Sequence, residues 1–251
     1  MLEIKNISFR VDSEGQDKEI IRDISFTIPD EKLVVITGPN GGGKSTLAKL
    51  IAGIEKPDSG KILLDGEDIT DMSITERAKK GIGFAFQQPV RFKGIQVFDL
   101  IKLATGKNIK ASDACDYLSA VGLCARDYID REINSSLSGG ELKRIEIATV
   151  LAKASRLSIF DEPEAGIDLW SFQNLIGVFQ KMREDISGSS ILIISHQERI
   201  LNIADEIIVI NNGVVAEHGS RDEVLPSLMG TSSAVPECRK NGIEAGGEEA
   251  C

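Results

Sequence analysis

The sequence predicts an α/β fold in which a parallel β-sheet follows an antiparallel β-subdomain and is interrupted by an inserted helical subdomain. Short runs of nearly continuous apolar residues alternate with helical patterns, as expected of buried parallel strands joined by crossover helices. The first 28 residues instead alternate polar and apolar side chains, and a long middle segment has only helical periodicity. The apolar runs are LVVIT (33–37), LSIF (157–160) and ILIIS (191–195).

Length and composition are those of a globular protein. The chain has 251 residues, 41% of them hydrophobic, which is enough for one sizeable core. Its formal net charge of -10 argues against nucleic acid as a main partner, because phosphate backbones require basic surfaces. The sequence has no apolar run long enough for a membrane span, and its start alternates where a signal peptide would be continuously apolar. We therefore expect a cytoplasmic protein that contacts a membrane only through a partner.

The elements follow in order along the chain. Residues 2–11 and 24–28 alternate around a polar loop and predict an antiparallel strand pair. A strand at 33–37 leads into a helical pattern, and the segment 207–219 contains Asn-Asn-Gly between apolar runs, which predicts a β-hairpin. Residues 229–251 lack periodicity and are rich in Gly, Ser and Glu, which predicts a disordered acidic tail.

The middle segment, residues 89–151, carries no strand-like run. We interpret it as a helical subdomain inserted into a single domain of residues 1–228, whose core comprises 1–88 and 152–228. A helix within it is indicated by the spacing of Leu142, Ile145, Ala148 and Ala152.

The segment GPNGGGKS follows the strand 33–37 and precedes a helical pattern, which is the context that the phosphate-binding P-loop requires. Backbone N–H groups of such a loop point at the β-phosphate, Lys44 reaches the β- and γ-phosphates, and Ser45 is a ligand of Mg²⁺. The sequence thus predicts a P-loop nucleoside triphosphatase that binds ATP and Mg²⁺. The predicted nucleotide contacts in this segment are Gly38, Pro39, Asn40, Gly41, Gly42, Gly43, Lys44, Ser45 and Thr46.

Two carboxylates follow the strand 157–160. Asp161 is the predicted magnesium-associated residue, and Glu162 is the predicted general base that polarises the attacking water. That role suits a carboxylate shielded from solvent, whose pKa is raised. An Asp-Glu pair after a strand often marks only a solvated strand end, but its combination with a P-loop is specific.

The segment LSGGE (137–141) begins a predicted helix, with Ser138 and Glu141 spaced as a capping box. A good helix start is the simpler interpretation. However, Gly139 and Gly140 weaken the first helical turn by about 1 kcal/mol each relative to alanine while exposing its N–H groups to an anion. Because the P-loop already holds the chain's own nucleotide, this helix start is predicted to contact the ATP of a second copy in a head-to-tail dimer.

Two further residues are predicted to lie at the same sheet edge. His196 follows the strand 191–195 and can hydrogen-bond the γ-phosphate and sense its loss, although a lone histidine is more often structural. Gln87, at the start of the helical subdomain, is placed to contact Mg²⁺ or the attacking water and to report the nucleotide state to that subdomain.

These residues, in this order, resemble the ATP-binding-cassette (ABC) family over residues 1–228. The resemblance implies the fold of that family, with a RecA-like core, and a dimer that hydrolyses ATP. It also implies that Ser138 and Gly140 contact the partner's ATP and that Asp168 lies near the partner's P-loop. The matching motifs are Walker A (38–45), the Q-loop (Gln87), the signature (137–141), Walker B with its glutamate (157–162), the D-loop (164–168) and the switch His196.

One position departs from transporter cassettes. They usually stack adenine on an aromatic residue near the end of the first strands, where this sequence has Val11. Base stacking contributes about 1 to 3 kcal/mol where it has been tested, so we expect modest nucleotide affinity.

Several segments are more similar to SufC, the ATPase of iron–sulfur cluster assembly, than to transporters: AFQQPVRFKGI, SGGELKRIEI, DEPEAGIDLWS and SHQERIL. On this resemblance, the ATP-driven dimer would act on a SufB/SufD-like scaffold. The alternative is the ATPase subunit of a membrane transporter, since the catalytic residues do not separate the two and Pro163 after Glu162 matches transporters.

The partner surface is predicted on the helical subdomain just after Gln87, with subdomain core as the alternative interpretation of the same side chains. The side chains are those of Val90, Phe92, Ile95, Val97 and Phe98. The four cysteines, Cys115, Cys124, Cys238 and Cys251, form no CxxC pair, and we interpret them as reduced, mostly structural thiols. The tail cysteines Cys238 and Cys251 could bind iron or a transient cluster, but an isolated pair of this kind is more often incidental.

Overall fold

The structure, a computed structural model, describes residues 1–13, 16–134, 136–184 and 187–231. Its strands are β1 (Leu2–Ser13), β2 (Gln16–Ile28), β3 (Leu33–Thr37), β4 (Ser59–Leu64), β5 (Glu67–Asp68), β6 (Ile82–Ala85), β7 (Leu157–Asp161), β8 (Ser190–Ile194), β9 (Glu206–Asn211) and β10 (Val214–Ser220). Its helices are α1 (Lys44–Ala52), α2 (Ile74–Lys79), α3 (Val97–Thr105), α4 (Ala111–Ala120), α5 (Ala125–Tyr128), α6 (Gly139–Lys153), α7 (Leu169–Glu184), α8 (Glu198–Leu201) and α9 (Arg221–Thr231).

The central sheet has the order β10-β9-β3-β8-β7-β6, and all of its neighbouring pairs are parallel except the edge pair β9–β10. Every residue of β3, β7 and β8 is buried, because both faces of the sheet are covered. These three strands carry the apolar runs seen in the sequence, and their arrangement confirms the predicted α/β fold.

The second sheet is antiparallel, with the order β2-β1-β4-β5. Its first two strands are longer than predicted, since β1 and β2 remain paired down to Ser13 and Gln16. Most of the segment predicted as a polar loop therefore belongs to the two strands. A strand pair that is exposed on both faces can be polar throughout, so its sequence does not alternate. The two residues between the strands lie outside the described ranges.

Strand β6 was not predicted. Its sequence, IGFA, is short and contains a glycine, so no periodicity marks it. A Cβ atom on Gly83 would lie 2.6 Å from the Oγ of Ser155, so this glycine allows the segment after α6 to pack closely on the sheet.

The helical subdomain contains α3, α4, α5 and α6. The side chains of Leu142, Ile145, Ala148 and Ala152 are all buried, and together they form the inner face of α6. This helix continues to Lys153, two residues beyond the predicted end of the subdomain, because the chain leaves it only at Ala154, which adopts a left-handed conformation.

The C-terminal prediction is wrong for three residues, because α9 extends to Thr231 and so includes 229–231. Residues 232–251, with Cys238 and Cys251, lie outside the described part of the chain. Cys115 and Cys124 are free thiols. No helix within the described ranges is long and apolar enough to cross a bilayer.

The P-loop helix α1 is held at its C-terminal end by Arg77, which is 1% exposed. Its guanidinium donates hydrogen bonds to the carbonyl oxygens of Leu50 (2.6 Å) and Ile51 (2.9 Å) in the last turn of the helix, where the Gly53 N–H also donates to Leu50. A positive charge at a helix C-terminus also stabilises the helix dipole. Arg77 thereby fixes α1, and the loop before it, against the rest of the core.

Candidate active site

The P-loop lies between β3 and α1, and its backbone requires glycine. Gly43 has φ of 102°, and a Cβ atom there would lie 2.8 Å from the side chain of Ile21. Lys44 is 5% exposed, and its ammonium donates to the carbonyl oxygens of Gly38 and Pro39, each at 2.9 Å. These bonds hold the charged end of Lys44 across the loop, where a phosphate would lie.

The end of β7 meets the P-loop through a short polar contact. The hydroxyl of Ser45 donates to Oδ1 of Asp161 at 2.9 Å, and Asp161 is 2% exposed. Burial raises the pKa of the Asp161 carboxyl. A hydroxyl and a buried carboxylate at this separation are oxygen donors of the kind that Mg²⁺ prefers, so these residues fit the predicted metal.

Glu162 follows with φ of 44°, a left-handed conformation that ends the strand at Asp161. The Nε2 of Gln87 donates to Oε2 of Glu162 at 2.5 Å. The structure therefore places Gln87 on the predicted base, and shows no hydrogen bond from its side chain to Ser45 or Asp161, the other predicted magnesium ligands. Its predicted role as a metal ligand remains a proposal.

Most of the predicted residues of this site line one cleft of about 490 Å³, but Gly38, Pro39 and Asp161 are not among its lining residues. The exposed His196 lies in its wall with Lys44 and Glu162, as the sequence predicts for the ends of parallel strands. Ser138, Gly139, Gly140 and Asp168 are outside it. The lining residues are Lys18, Ile20, Asn40, Gly41, Gly42, Gly43, Lys44, Ser45, Thr46, Gln87, Glu162 and His196.

Lys18 and Ile20 were missed by sequence reasoning. Both belong to β2; Lys18 lies in the segment 12–19 that the sequence predicts as a polar loop, and Ile20 follows it directly. Val11 pairs with Lys18 across the β1–β2 ladder and is 42% exposed. Their place in the cleft depends on β2 starting as early as Gln16, and no sequence pattern indicates that start.

The start of α6 has the predicted capping box. The backbone N–H of Ser138 donates to Oε2 of Glu141 at 2.7 Å, and the N–H of Glu141 donates to the hydroxyl of Ser138. A hydrogen bond from the Tyr128 hydroxyl, with these bonds to Ser138, lowers the pKa of Glu141 to about 2. The helix start is therefore held firmly by its own chain.

Asp168 caps the next helix. Its Oδ1 accepts hydrogen bonds from the backbone N–H groups of Trp170 and Ser171, both at 3.0 Å. One carboxylate oxygen of this exposed residue is therefore engaged within its own chain. The position of Asp168 near the partner's P-loop stays a prediction.

A buried ion pair in α6 was also missed. Lys143 is fully buried, and its ammonium donates to the carbonyl oxygens of Phe86, Gln87 and Asp161. Glu146 lies 3.5 Å from that ammonium and accepts a hydrogen bond from the N–H of Phe86 at 3.0 Å. The pair thus fixes the backbone of Phe86 and Gln87, where the chain enters the Q-loop. In the sequence it looks like an ordinary surface pair at i, i+3, so nothing marks it as buried.

Glu164 forms a second buried link. The hydroxyl of Ser195 donates to its Oε1 at 2.6 Å, which ties the D-loop to the residue before His196. Its Oε2 is buried and has no hydrogen-bond partner within the described residues. Burial raises the pKa of the Glu164 carboxyl.

The chain resembles known proteins over most of its length. Residues 21–165 match the family model described as "ABC transporter". An uncharacterized ABC transporter ATP-binding protein of Methanocaldococcus jannaschii is 39% identical over 216 residues, covering 83% of this chain and 86% of that protein. The sulfate/thiosulfate import ATP-binding protein CysA of Synechocystis sp. is 32% identical, and the match covers 88% of this chain but only 63% of that protein.

Solved structures show the same fold. CbiO1 of Clostridium perfringens, described as part of an ABC transporter complex, superposes with a TM-score of 0.72 at 26% identity, covering 90% of this chain and 91% of that one. A dimeric post-hydrolysis state of the ATP-binding cassette MJ0796, bound to ADP and Pi, superposes with a TM-score of 0.80 at 22% identity, covering 88% and 99%.

Substituting Lys143 tests whether the buried pair positions Gln87. We expect Lys143→Met to reduce the turnover number for ATP by about tenfold or more, because small displacements of catalytic groups are costly. The KM for ATP should change little, since the P-loop is untouched. The matched control is Lys153→Met, because Lys153 lies on the same helix and donates to the carbonyl oxygen of Ile82 at 2.5 Å, away from Gln87.

A double variant separates positioning from stability. Lys143→Met alone leaves Glu146 as a buried unpaired charge, whereas Lys143→Met/Glu146→Met removes both charges and should regain much of the lost stability. The turnover number should stay low in the double variant. Recovery of turnover together with stability would show that the two charges serve only to balance each other.

Substituting Glu164 tests the raised pKa of its carboxyl. Because burial penalises the ionised form, the wild type loses folding stability as the pH rises from 4.5, the ordinary pKa of a glutamate, through the higher pKa of the folded state. Glu164→Gln avoids this loss. Chemical denaturation should find it more stable than the wild type at pH 7.5, with the difference shrinking as the pH falls toward 4.5. A difference that stays constant with pH would contradict the expectation.

Proposed function

The chain belongs to the ABC transporter family, and we propose that it is the ATP-hydrolysing subunit of a membrane transporter, working as a head-to-tail dimer with ATP between the copies. The observation that carries the dimer is the division of the site, whereas the transporter role is supported by the relatives. Lys44, Glu162 and His196 line one cleft, whereas Ser138 and Gly140 lie at a helix start outside it. A second copy would supply the missing contacts.

Within one half-site, each residue has a separate task. Lys44 neutralises charge on the β- and γ-phosphates, and the P-loop N–H groups orient them. Mg²⁺, when bound through Ser45 and Asp161, neutralises further phosphate charge. Glu162 accepts a proton from the attacking water and is oriented by Gln87 through their 2.5 Å hydrogen bond. His196 donates to the γ-phosphate and loses that contact after hydrolysis.

The proposed surface for the membrane partner is a groove of about 150 Å³ on the helical subdomain. Val90 is 45% exposed and Phe92 is 37% exposed in its wall, and Phe86 connects it to Gln87. The five residues that the sequence predicts for this surface therefore do not all belong to it. Val97 is fully buried and belongs to the core, while Ile95 and Phe98 pack against the core from its edge. Because Glu146 also lines the groove, a bound partner would press on the pair that holds Gln87.

A SufC-like role in iron–sulfur cluster assembly is the second candidate. It is supported by the segments around Gln87, Ser138, Asp168 and His196 that resemble SufC. The relatives described above are named as transporter proteins, which favours the transporter role over the SufB/SufD-like scaffold.

The dimer can be tested with Glu162→Gln, which should bind ATP without hydrolysing it. With ATP and Mg²⁺ we expect this variant to sediment as a dimer, and without nucleotide as a monomer. Lys44→Ala should abolish ATP hydrolysis and should not dimerise under the same conditions. If Glu162→Gln stays monomeric at high concentration with ATP, the head-to-tail model is wrong.

Purification from the native cell distinguishes the two partners. We expect the tagged chain to retain a membrane protein with several transmembrane helices in stoichiometric amount, extracted in detergent. Val90→Asp/Phe92→Asp, which places charges in the groove, should lose that companion while keeping basal ATPase activity. A soluble, β-rich iron–sulfur scaffold as companion would instead support the SufC-like role.

A further inference from the structure

Trp170 is the only tryptophan of the chain, and it is 82% exposed. Leu169 before it is 65% exposed. Helix α7 buries Phe172, Leu175 and Phe179 on its inner face, so Trp170 lies on the opposite side. Tryptophan is mostly buried in folded proteins, and it is enriched among the residues that dominate binding at protein interfaces. We call Leu169 and Trp170 the apolar step.

The apolar step is held in place by the residue before it. The hydrogen bonds from the N–H groups of Trp170 and Ser171 to Asp168, both 3.0 Å, fix the first turn of α7. The tryptophan is therefore presented on ordered backbone. A backbone that is already ordered loses less conformational entropy when a partner covers it.

The position of the apolar step indicates what covers it. A Cβ atom on Gly140 would lie 3.4 Å from the carbonyl oxygen of Gly166, so the D-loop packs against the start of α6. The apolar step follows the D-loop directly. It therefore lies next in the chain to a loop that packs on the helix start with Ser138 and Gly140, which faces a second copy in the proposed dimer.

We propose that the apolar step is a contact between two copies of this chain, and that the second copy covers Leu169 and Trp170 when the dimer closes on ATP. This inference rests on the proposed head-to-tail dimer. The proposed membrane-partner groove is formed by other residues, including Val90 and Phe92 on the helical subdomain. The second copy is therefore the occupant that the surroundings of Trp170 favour.

The fluorescence of Trp170 tests this directly, because the emission of the full chain comes from this one tryptophan. In Glu162→Gln, addition of ATP and Mg²⁺ should shift the emission to shorter wavelength and lower the acrylamide quenching constant several-fold, at the protein concentrations where sedimentation shows dimer. A dimer whose tryptophan stays fully quenchable overturns this inference and leaves the dimer intact. Absence of any dimer overturns both.

A second measurement uses substitution. In the Glu162→Gln background, Trp170→Ala should raise the dimer dissociation constant by about tenfold or more, as truncation of a central tryptophan commonly does. The matched control is Leu103→Ala, which removes a side chain that is 69% exposed on α3. Equal effects of the two substitutions would overturn the inference. So would protection of Trp170 only after addition of the membrane partner.

Discussion

Three acidic side chains lie at the end of strand β7, and three neighbouring elements each donate a hydrogen bond to one of them. Asp161, Glu162 and Glu164 stand within four residues, and burial raises the pKa of the first and the last. Each makes a polar contact with a different element: Ser45 of α1 with Asp161, Gln87 after β6 with Glu162, and Ser195 after β8 with Glu164. The arrangement suits a site that receives Mg²⁺, whose charge offsets the repulsion.

The hydrophobic core makes this arrangement precise. The five buried residues of β7 pack between two clusters of apolar side chains, one on each face of the sheet. Such close packing leaves the strand little freedom to shift. The polar groups at its end therefore keep their spacing before nucleotide binds, and binding energy is not spent on ordering them.

The sequence predicts much of the fold and the composition of the cleft, since its strand patterns and motifs depend on local spacing. The strands β3, β7 and β8 follow from continuous apolar runs, whereas β6 is too short and too rich in glycine to be distinguished. Lys143 and Glu146 were missed because their burial depends on contact with Phe86, 57 and 60 residues away along the chain. The predicted helical subdomain ends at residue 151, two residues before the end of α6, because no glycine or proline in the sequence marks that end.

Helix α6 carries Ser138 at its start and, one turn and a half later, the Lys143 that holds the backbone of Gln87. If the start of this helix serves the nucleotide of one half-site and Lys143 serves the other, the two half-sites share a rigid connection. Coupling between sites is reciprocal in free energy, so any change that one bound nucleotide makes in the affinity of the other position is returned equally. A dimer built from this chain would then bind its two ATP molecules cooperatively rather than independently.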